Sequence, residues 1–388
     1  MAVQNDLQLH TENITINSST EIPTGVSTNS PIGETYILDG ATPDIQCLDQ
    51  ILVEQILQVP TEPENINKKI DMFRNIIDAS VGDTSLNRSR SLERETGIRN
   101  LYLKFEGGNP TGTHKDRIAF AQAQDALRRG YDAVTLATCG NYGVAMALAC
   151  HFAGIQCHIY IPEGYHTKRI VEMKKYGAHI NFAGQDYERA CLASQLRATT
   201  EGMYDANPGG SNSVLQMEAY AEIAYEIYDE LRDAPAVVAL PVSNGTALAG
   251  IYLGFLRLYR KSRTSRMPKM IAGSAYKKNP IIHSFLHKDQ TCVDLQPEKI
   301  RETIVNEPLI NWHSTDGNEA LQAIYNSNGS AQYVSDKAMK IMSKKLRDNE
   351  GLLVLPASTA GLLALLQEHK KQALPGDRYV AVLTGKQG

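Results

Sequence analysis

Between residues 97 and 388 the apolar positions follow two alternating rhythms. Short apolar runs, "IRNLYLKFEG", "DAVTLATC", "QCHIYIPEG" and "AHINFAG", have the length and composition of buried strands. Between them lie longer segments with apolar residues three and four apart: "KDRIAFAQAQDALRRG", "NYGVAMALACHFAG" and "HTKRIVEMKKYG". That spacing predicts helices, and each segment closes on a glycine, the usual helix stop. The same alternation continues through "VLQMEAYAEIAYEIYDEL" (helix), "AVVALPVS" (strand), "TALAGIYLGFLRLYR" (helix) and "KMIAGSAY" (strand). Further on, "SDKAMKIMSKKLRDNEG" predicts a helix capped by Ser335 with Gly351 at its end. "STAGLLALLQEHKK" predicts another helix and "RYVAVLTG" a last strand. Strands alternating with helices over short links imply right-handed βαβ units on a parallel sheet, an α/β protein.

Upstream the rhythm is different. Residues 1–35 are rich in Ser, Thr and Asn, show no periodicity and are expected to be a flexible arm. "TPDIQCLDQILVEQILQV" predicts a helix capped by Thr42, with Pro43 in its first turn and Ile45, Leu48, Leu52, Ile56 and Val59 on one face. "NINKKIDMFRNIIDAS" predicts a second, with Ile66, Ile70, Phe73 and Ile77 on one side. Residues 36–80 are thus expected to form a helical extension that packs on the main body or on a partner subunit.

Composition narrows the function classes. The chain has 388 residues, too many for one small core, with 42% hydrophobic and 21% charged residues and a net charge of −4. No Lys/Arg-dense run is present, so no nucleic-acid partner is expected. No apolar run approaches the roughly 20 residues that cross a bilayer, and the first residues lack the features of a secretory leader. Cys47, Cys139, Cys150, Cys157, Cys191 and Cys292 form no C-x-x-C pair, and the ten histidines include no H-E-x-x-H. Reduced thiols in a cytoplasmic protein without a metal site are expected.

The candidate chemistry lies in four polar loops after predicted strands: "EGGNPTGTHKD", "ATCGNYG", "PVSNGTALAG" and "LTGKQG". In open parallel sheets ligands bind at the carboxyl ends of strands. The first loop ends in Lys115 at a helix start. It is not a nucleotide P-loop, because two residues separate Gly112 from the lysine and Asp116 follows it. The dipole at a helix start opposes a cation, which favours the neutral, nucleophilic amine that forms Schiff bases. In "ATCGNYG", Gly140 and Gly143 permit a turn whose N–H groups bind a carboxylate. In "SNGTALAG", Gly245 lets the backbone approach closely, and Ser243, Asn244 and Thr246 add side-chain donors, which suits a phosphate.

Together these segments resemble the fold-type II pyridoxal phosphate (PLP) enzymes, the tryptophan synthase β and cysteine synthase superfamily. "NPTGTHKDR" resembles its N-P-T-G-S-x-K-D-R around the Schiff-base lysine, and "TCGNYG" its S-S-G-N-x-G. "LPASTAGLLALL" resembles its E-P-x-S-A-A helix, "VAVLTGKQG" its closing strand, and "GDTSL" at 82–86 its G-x-T-P-L. The likeness covers roughly residues 80–388 in order. Among subfamilies it is most similar to threonine synthase, through "TIVNEPLINW", "LTG" and "ANPGGSNSVLQMEAYAEIAYEI".

The resemblance implies two open three-layer α/β/α domains with largely parallel sheets. Residues 81–117 and 216–388 would form the large PLP-binding domain, and 118–215 a small mobile domain carrying the Asn141 loop. A homodimer acting on a small amino-acid substrate is implied too. Lys115 would hold PLP as an internal aldimine and then move the Cα proton. Asn141 would hydrogen-bond the cofactor's 3′-oxygen, and the backbone of Thr138, Cys139, Gly140, Asn141 and Tyr142 would grip the substrate carboxylate. Ser243, Asn244, Gly245 and Thr246 would hold the cofactor phosphate. Thr384 would meet the pyridine nitrogen, leaving it unprotonated and suiting elimination and replacement at Cβ or Cγ. His114 would contact the phosphate or serve packing.

The sequence departs from the threonine synthase pattern at several places. Gly209 and Gly210 follow Pro208 where the family carries an arginine. Leu355 replaces a Glu, and Cys139 a Ser. Cys139 reads as an isostere of Ser, with a nucleophile as the other option. The leading expectation is threonine synthase-type chemistry on an O-phosphohomoserine-like substrate. The alternatives are β-replacement on an activated serine, serine/threonine ammonia-lyase activity, and a non-catalytic binding module.

Overall fold

A computed structural model describes residues 63–165, 167–374 and 377–387. The arm at 1–35 and the helix expected at 42–59 lie outside the described residues. Strands among them are β1 (Leu86–Arg88), β2 (Leu101–Phe105), β3 (Ala133–Ala137), β4 (Gln156–Ile161), β5 (His179–Phe182), β6 (Tyr204–Asp205), β7 (Val237–Pro241), β8 (Lys269–Ala275), β9 (Ser330–Val334) and β10 (Tyr379–Leu383).

They form two sheets. One has six strands in the order β1-β2-β10-β7-β8-β9, the other four in the order β5-β4-β3-β6. Every pairing is parallel except β1 with β2. β10 lies between β2 and β7, with Tyr379 opposite both Leu101 and Val237. The carboxyl ends of β2, β7 and β10 therefore share one edge of the large sheet. The loops that follow them start at Glu106, Val242 and Thr384, which is how residues far apart in sequence reach one place.

Strands β2, β3, β4, β5, β7, β8 and β10 formed where short apolar runs predicted them. Helices Lys115–Arg128, Asn141–Ala153, Ser213–Leu231, Thr246–Arg260, Asp336–Glu350 and Ala360–Lys371 likewise match the 3.6-residue pattern. Ser335 caps its helix by accepting from Ala338 N at 3.2 Å, and Gly351 ends it at φ 69°. Helix Asn141–Ala153 is apolar on every side, and Val144 through Cys150 are all at most 2% exposed. A helix with no polar face belongs inside a core.

Helix Pro63–Ser80 buries Phe73 against Phe120, with ring centroids 5.8 Å apart. Its Ile70, Phe73 and Ile76 are buried, and Ile66 and Ile77 pack partly buried against the same core. Its Lys69 Nζ donates to Gly154 O at 3.1 Å, holding the helix over the end of helix Asn141–Ala153.

Candidate active site

The loop after β2 is held in shape by its own side chains. Asp116 accepts from Thr111 N at 2.9 Å and Thr111 Oγ1 at 2.8 Å, and Asn109 Nδ2 donates to Glu106 O at 3.0 Å. The chain end is stitched to the same loop. His114 N donates to Thr384 O at 2.9 Å, Lys386 N to Gly112 O at 2.8 Å, and Leu355 N to Gly385 O at 3.0 Å. Lys115 thus leaves a backbone fixed on both sides.

Beneath it lies an ionic cluster that the sequence did not suggest. Arg117 Nε reaches Glu106 Oε2 at 2.6 Å and Arg117 Nη1 reaches Glu226 Oε1 at 2.7 Å. Lys104 Nζ also meets Glu226, at 2.6 Å. Two cations thus face two carboxylates out of water, and each needs the others. Burial alone would raise the Glu226 carboxyl, but Arg117 and Lys104 override it and hold it at about 2. The cluster ties β2 to helices Lys115–Arg128 and Ser213–Leu231, so the lysine rides on three elements locked together.

Burial pushes the Lys115 amine down from 10.5 to about 8, with Asp316 opposing the shift. Its Nζ lies 5.9 Å from the centroid of the buried Tyr220 ring, on which His114 also stacks at 5.2 Å. Burial first, then the Lys115 and Arg117 charges, keeps His114 well below its ordinary range. The neutral ring places Nδ1 3.0 Å from Thr384 O, where its N–H donates. His114 is thereby a tether between the lysine loop and the last strand.

The loop after β7 has its carbonyls turned away from the cleft. Val242 O accepts from Ser274 Oγ at 2.7 Å, and Ser243 O from Asn279 Nδ2 at 3.0 Å and Ser314 Oγ at 3.1 Å. Asn244 O accepts from Asp316 N at 3.0 Å. Among the described residues, nothing accepts from the backbone N–H groups of Ser243, Asn244, Gly245, Thr246 or Ala247. They open helix Thr246–Arg260, whose dipole adds to their pull on an anion. Gly245 sits at φ 96°, and a Cβ there would lie 2.6 Å from Asp316 O. Only glycine closes this turn. The side-chain expectation for Thr246 needs correcting: its Oγ1 donates to the buried Asp316 carboxylate, which also accepts from Ser213 Oγ at 2.6 Å. With its hydroxyl proton committed to Asp316, Thr246 has its N–H left for an anion.

One cleft is lined by His114, Lys115, Asn141, Ser243, Asn244, Gly245, Thr246 and Thr384, together with Pro308, Leu309, Leu355 and Ser358. Ser358 escaped the sequence reading although "LPASTAG" had been singled out. Its Oγ lies 3.0 Å from Thr384 Oγ1, a hydroxyl pair that can meet a ring nitrogen. Of the Thr138–Tyr142 loop, Asn141 alone is in this lining. Thr138 Oγ1 accepts from Gly140 N at 3.4 Å. The Tyr142 hydroxyl turns into the core, 2.5 Å from Gln122 Oε1 and 2.8 Å from Ala206 O. Among the described residues nothing accepts from the backbone N–H of Cys139, Asn141 or Tyr142. Burial, then the charges of Glu307 and Glu302, pushes the Cys139 thiol up to about 12, which fits a small isostere of serine and not an activated nucleophile.

The residues present fit pyridoxal phosphate. A row of free N–H groups suits its phosphate, a hydroxyl pair its ring nitrogen, and a buried amine its aldehyde.

Comparisons with known proteins agree. Residues 77–385 match the family described as pyridoxal-phosphate dependent enzyme. Threonine synthase of Methanocaldococcus jannaschii is 30% identical over 371 residues, which cover 91% of this chain and 90% of that one. Threonine synthase of Methanosarcina acetivorans is 28% identical over 319 residues, covering 82% and 77%. Among solved structures, maize serine racemase superposes with a TM-score of 0.67 at 19% identity, covering 83% of this chain and 94% of that one. Threonine deaminase isoform 2 of Solanum lycopersicum also gives 0.67, at 17% identity, covering 83% and 90%. Fold, cleft and sequence likeness converge: the chain belongs to the family of pyridoxal-phosphate dependent enzymes and has the fold-type II architecture.

Proposed function

We propose that this enzyme catalyses elimination and replacement at Cβ or Cγ of an activated amino acid, with threonine synthase-type chemistry. One observation carries the reading: the buried Lys115 amine shares a cleft with the free N–H row of Ser243–Ala247 and with Asn141. The likeness to threonine synthases supports the reaction type.

Bound pyridoxal phosphate supplies an electron sink beside the substrate's Cα. Lys115 holds the cofactor and then carries the proton to and from Cα. An amine near 8 takes and returns a proton close to neutral pH. The N–H groups of Ser243 to Ala247 would hold the phosphate, and Asn141 would meet the ring's oxygen. Thr384 and Ser358 would meet the ring nitrogen as hydroxyls, which would not hold a proton there as a carboxylate does. The N–H groups of Cys139, Asn141 and Tyr142 bind the substrate carboxylate and so fix Cα next to Lys115.

We assign residues 118–215, which carry the β3–β6 sheet, to a smaller domain that closes over the substrate and excludes water. Residues 81–117 and 216–388 form the larger domain. A cytoplasmic homodimer completes this reading, on the resemblance to the family.

The test is incubation of the PLP-loaded protein with O-phosphohomoserine, O-acetylhomoserine, O-phosphoserine or threonine, reading phosphate, acetate, threonine and 2-oxo acid. Threonine formed from one of the two homoserine esters is expected. Oxo acid from threonine alone would replace the reading with ammonia-lyase activity, and turnover of none would overturn the reaction class.

A further inference from the structure

The mouth of the cleft has two sides. One is the Thr138–Tyr142 loop with its free N–H groups. The other is the segment that follows Asn306, whose Pro308 and Leu309 line the cleft. Glu307 is the first residue of that second segment. Its Oε1 lies 3.8 Å from the point where a side chain on Gly140 would begin. The turn that carries it is well tied down. Glu307 N donates to Thr303 O at 3.0 Å and Leu309 N to Asn306 O at 2.8 Å, while Asn306 Nδ2 reaches Asp336 Oδ1 at 3.2 Å. The carboxylate is therefore aimed at the substrate loop by a fixed backbone.

The surroundings of Glu307 add negative charge. Burial, then the nearby Glu302, raises the Glu307 carboxyl above its ordinary range, while Tyr165 and Arg169 oppose the shift. Arg169 is already paired with Glu172 at 2.9 Å. Among the described residues neither Glu302 nor Glu307 is in an ion pair.

We propose that Glu307 is the specificity-determining residue at the mouth of the cleft, favouring amino-acid substrates whose far end is uncharged or cationic over those ending in a phosphate. This rests on the amino-acid reading above. A carboxylate a few ångströms from a bound anion, at the edge of a protein, weakens binding by about tenfold for each unit of charge. The distal group of the preferred substrate is an uncharged ester or an amine.

Calorimetric titration of the PLP-loaded protein tests this without turnover. The ligands share a five-carbon amino-acid skeleton and differ only at the far end: ornithine, norvaline and 2-amino-5-phosphonopentanoate. Affinity is expected to fall in that order, with the phosphonate at least tenfold weaker than norvaline. Glu307→Gln is expected to shrink the norvaline-to-phosphonate ratio by about tenfold, and Glu307→Arg to reverse it. If the phosphonate binds as tightly as norvaline, or both variants leave the ratio unchanged, Glu307 does not set specificity and the reaction class still stands. If norvaline and the phosphonate both fail to bind, both readings fall.

Discussion

The two rims of the cleft are built differently. On the phosphate rim, the carbonyls of Val242, Ser243 and Asn244 are each held by a named donor, and Gly245 has no alternative. On the substrate rim, Asn141 makes no side-chain hydrogen bond among the described residues, Cys139 replaces a serine, and Glu307 faces the loop from across the mouth. The first rim is over-determined. On the second the backbone is fixed, but few side chains stand where a substrate would meet them. Cofactor chemistry thus resides in scaffold that tolerates little change, while substrate choice rests on a few side chains at the opening.

Four substitutions can break or sharpen this contrast. Lys115→Ala should have the largest effect, a loss of about 10³-fold or more in turnover together with loss of the visible absorption of amine-linked cofactor. Steady-state rates and an absorption spectrum check both. Arg117→Ala leaves Glu106 and Glu226 short of their partner and should cost about 3–5 kcal/mol of stability by denaturant titration. A normal midpoint would mean the cluster is not holding the lysine helix.

Gly245→Ala forces a side chain into a left-handed turn against Asp316 O, a strain of about 1–3 kcal/mol. PLP affinity should fall about tenfold or more, with the fold intact by circular dichroism. On the other rim, Cys139→Ser should change kcat/KM by less than about tenfold. A loss as large as that of Lys115→Ala would reinstate Cys139 as a nucleophile.

Much of this could be seen in the sequence because it is local. Short apolar runs placed β2, β3, β4, β5, β7, β8 and β10, and the 3.6-residue spacing placed the helices between them. The glycine, proline and threonine loop before Lys115 betrayed a constrained turn. Helix Tyr187–Glu201 was not anticipated. Its outward Leu192 and Leu196 are 64% and 65% exposed and blur the stripe. β6, two residues long, and the edge strand β9 carry too little pattern to stand out. The site residues missed were of another kind. Asp316 meets Thr246 across 70 positions, and Ser358 meets Thr384 across 26. Such pairings depend on which strands become neighbours, and no short window of sequence contains that. Ser358 did stand inside a motif already singled out, so a signal for it existed. For Glu307 the signal was weaker: it lies within "TIVNEPLINW", a segment noted only for its likeness to threonine synthases.

Borohydride reduction of the PLP-loaded protein, followed by peptide mass mapping, probes the Lys115 link most directly, and the pH at which cofactor-free protein takes up PLP completes it. Folding lowers the amine's pKa from 10.5 to about 8, so its neutral, nucleophilic form dominates above about 8. The expected result is a pyridoxyl group on Lys115, with an uptake rate that climbs through about pH 8 and then levels. A label on another lysine, or uptake that climbs only near pH 10.5, would contradict the account.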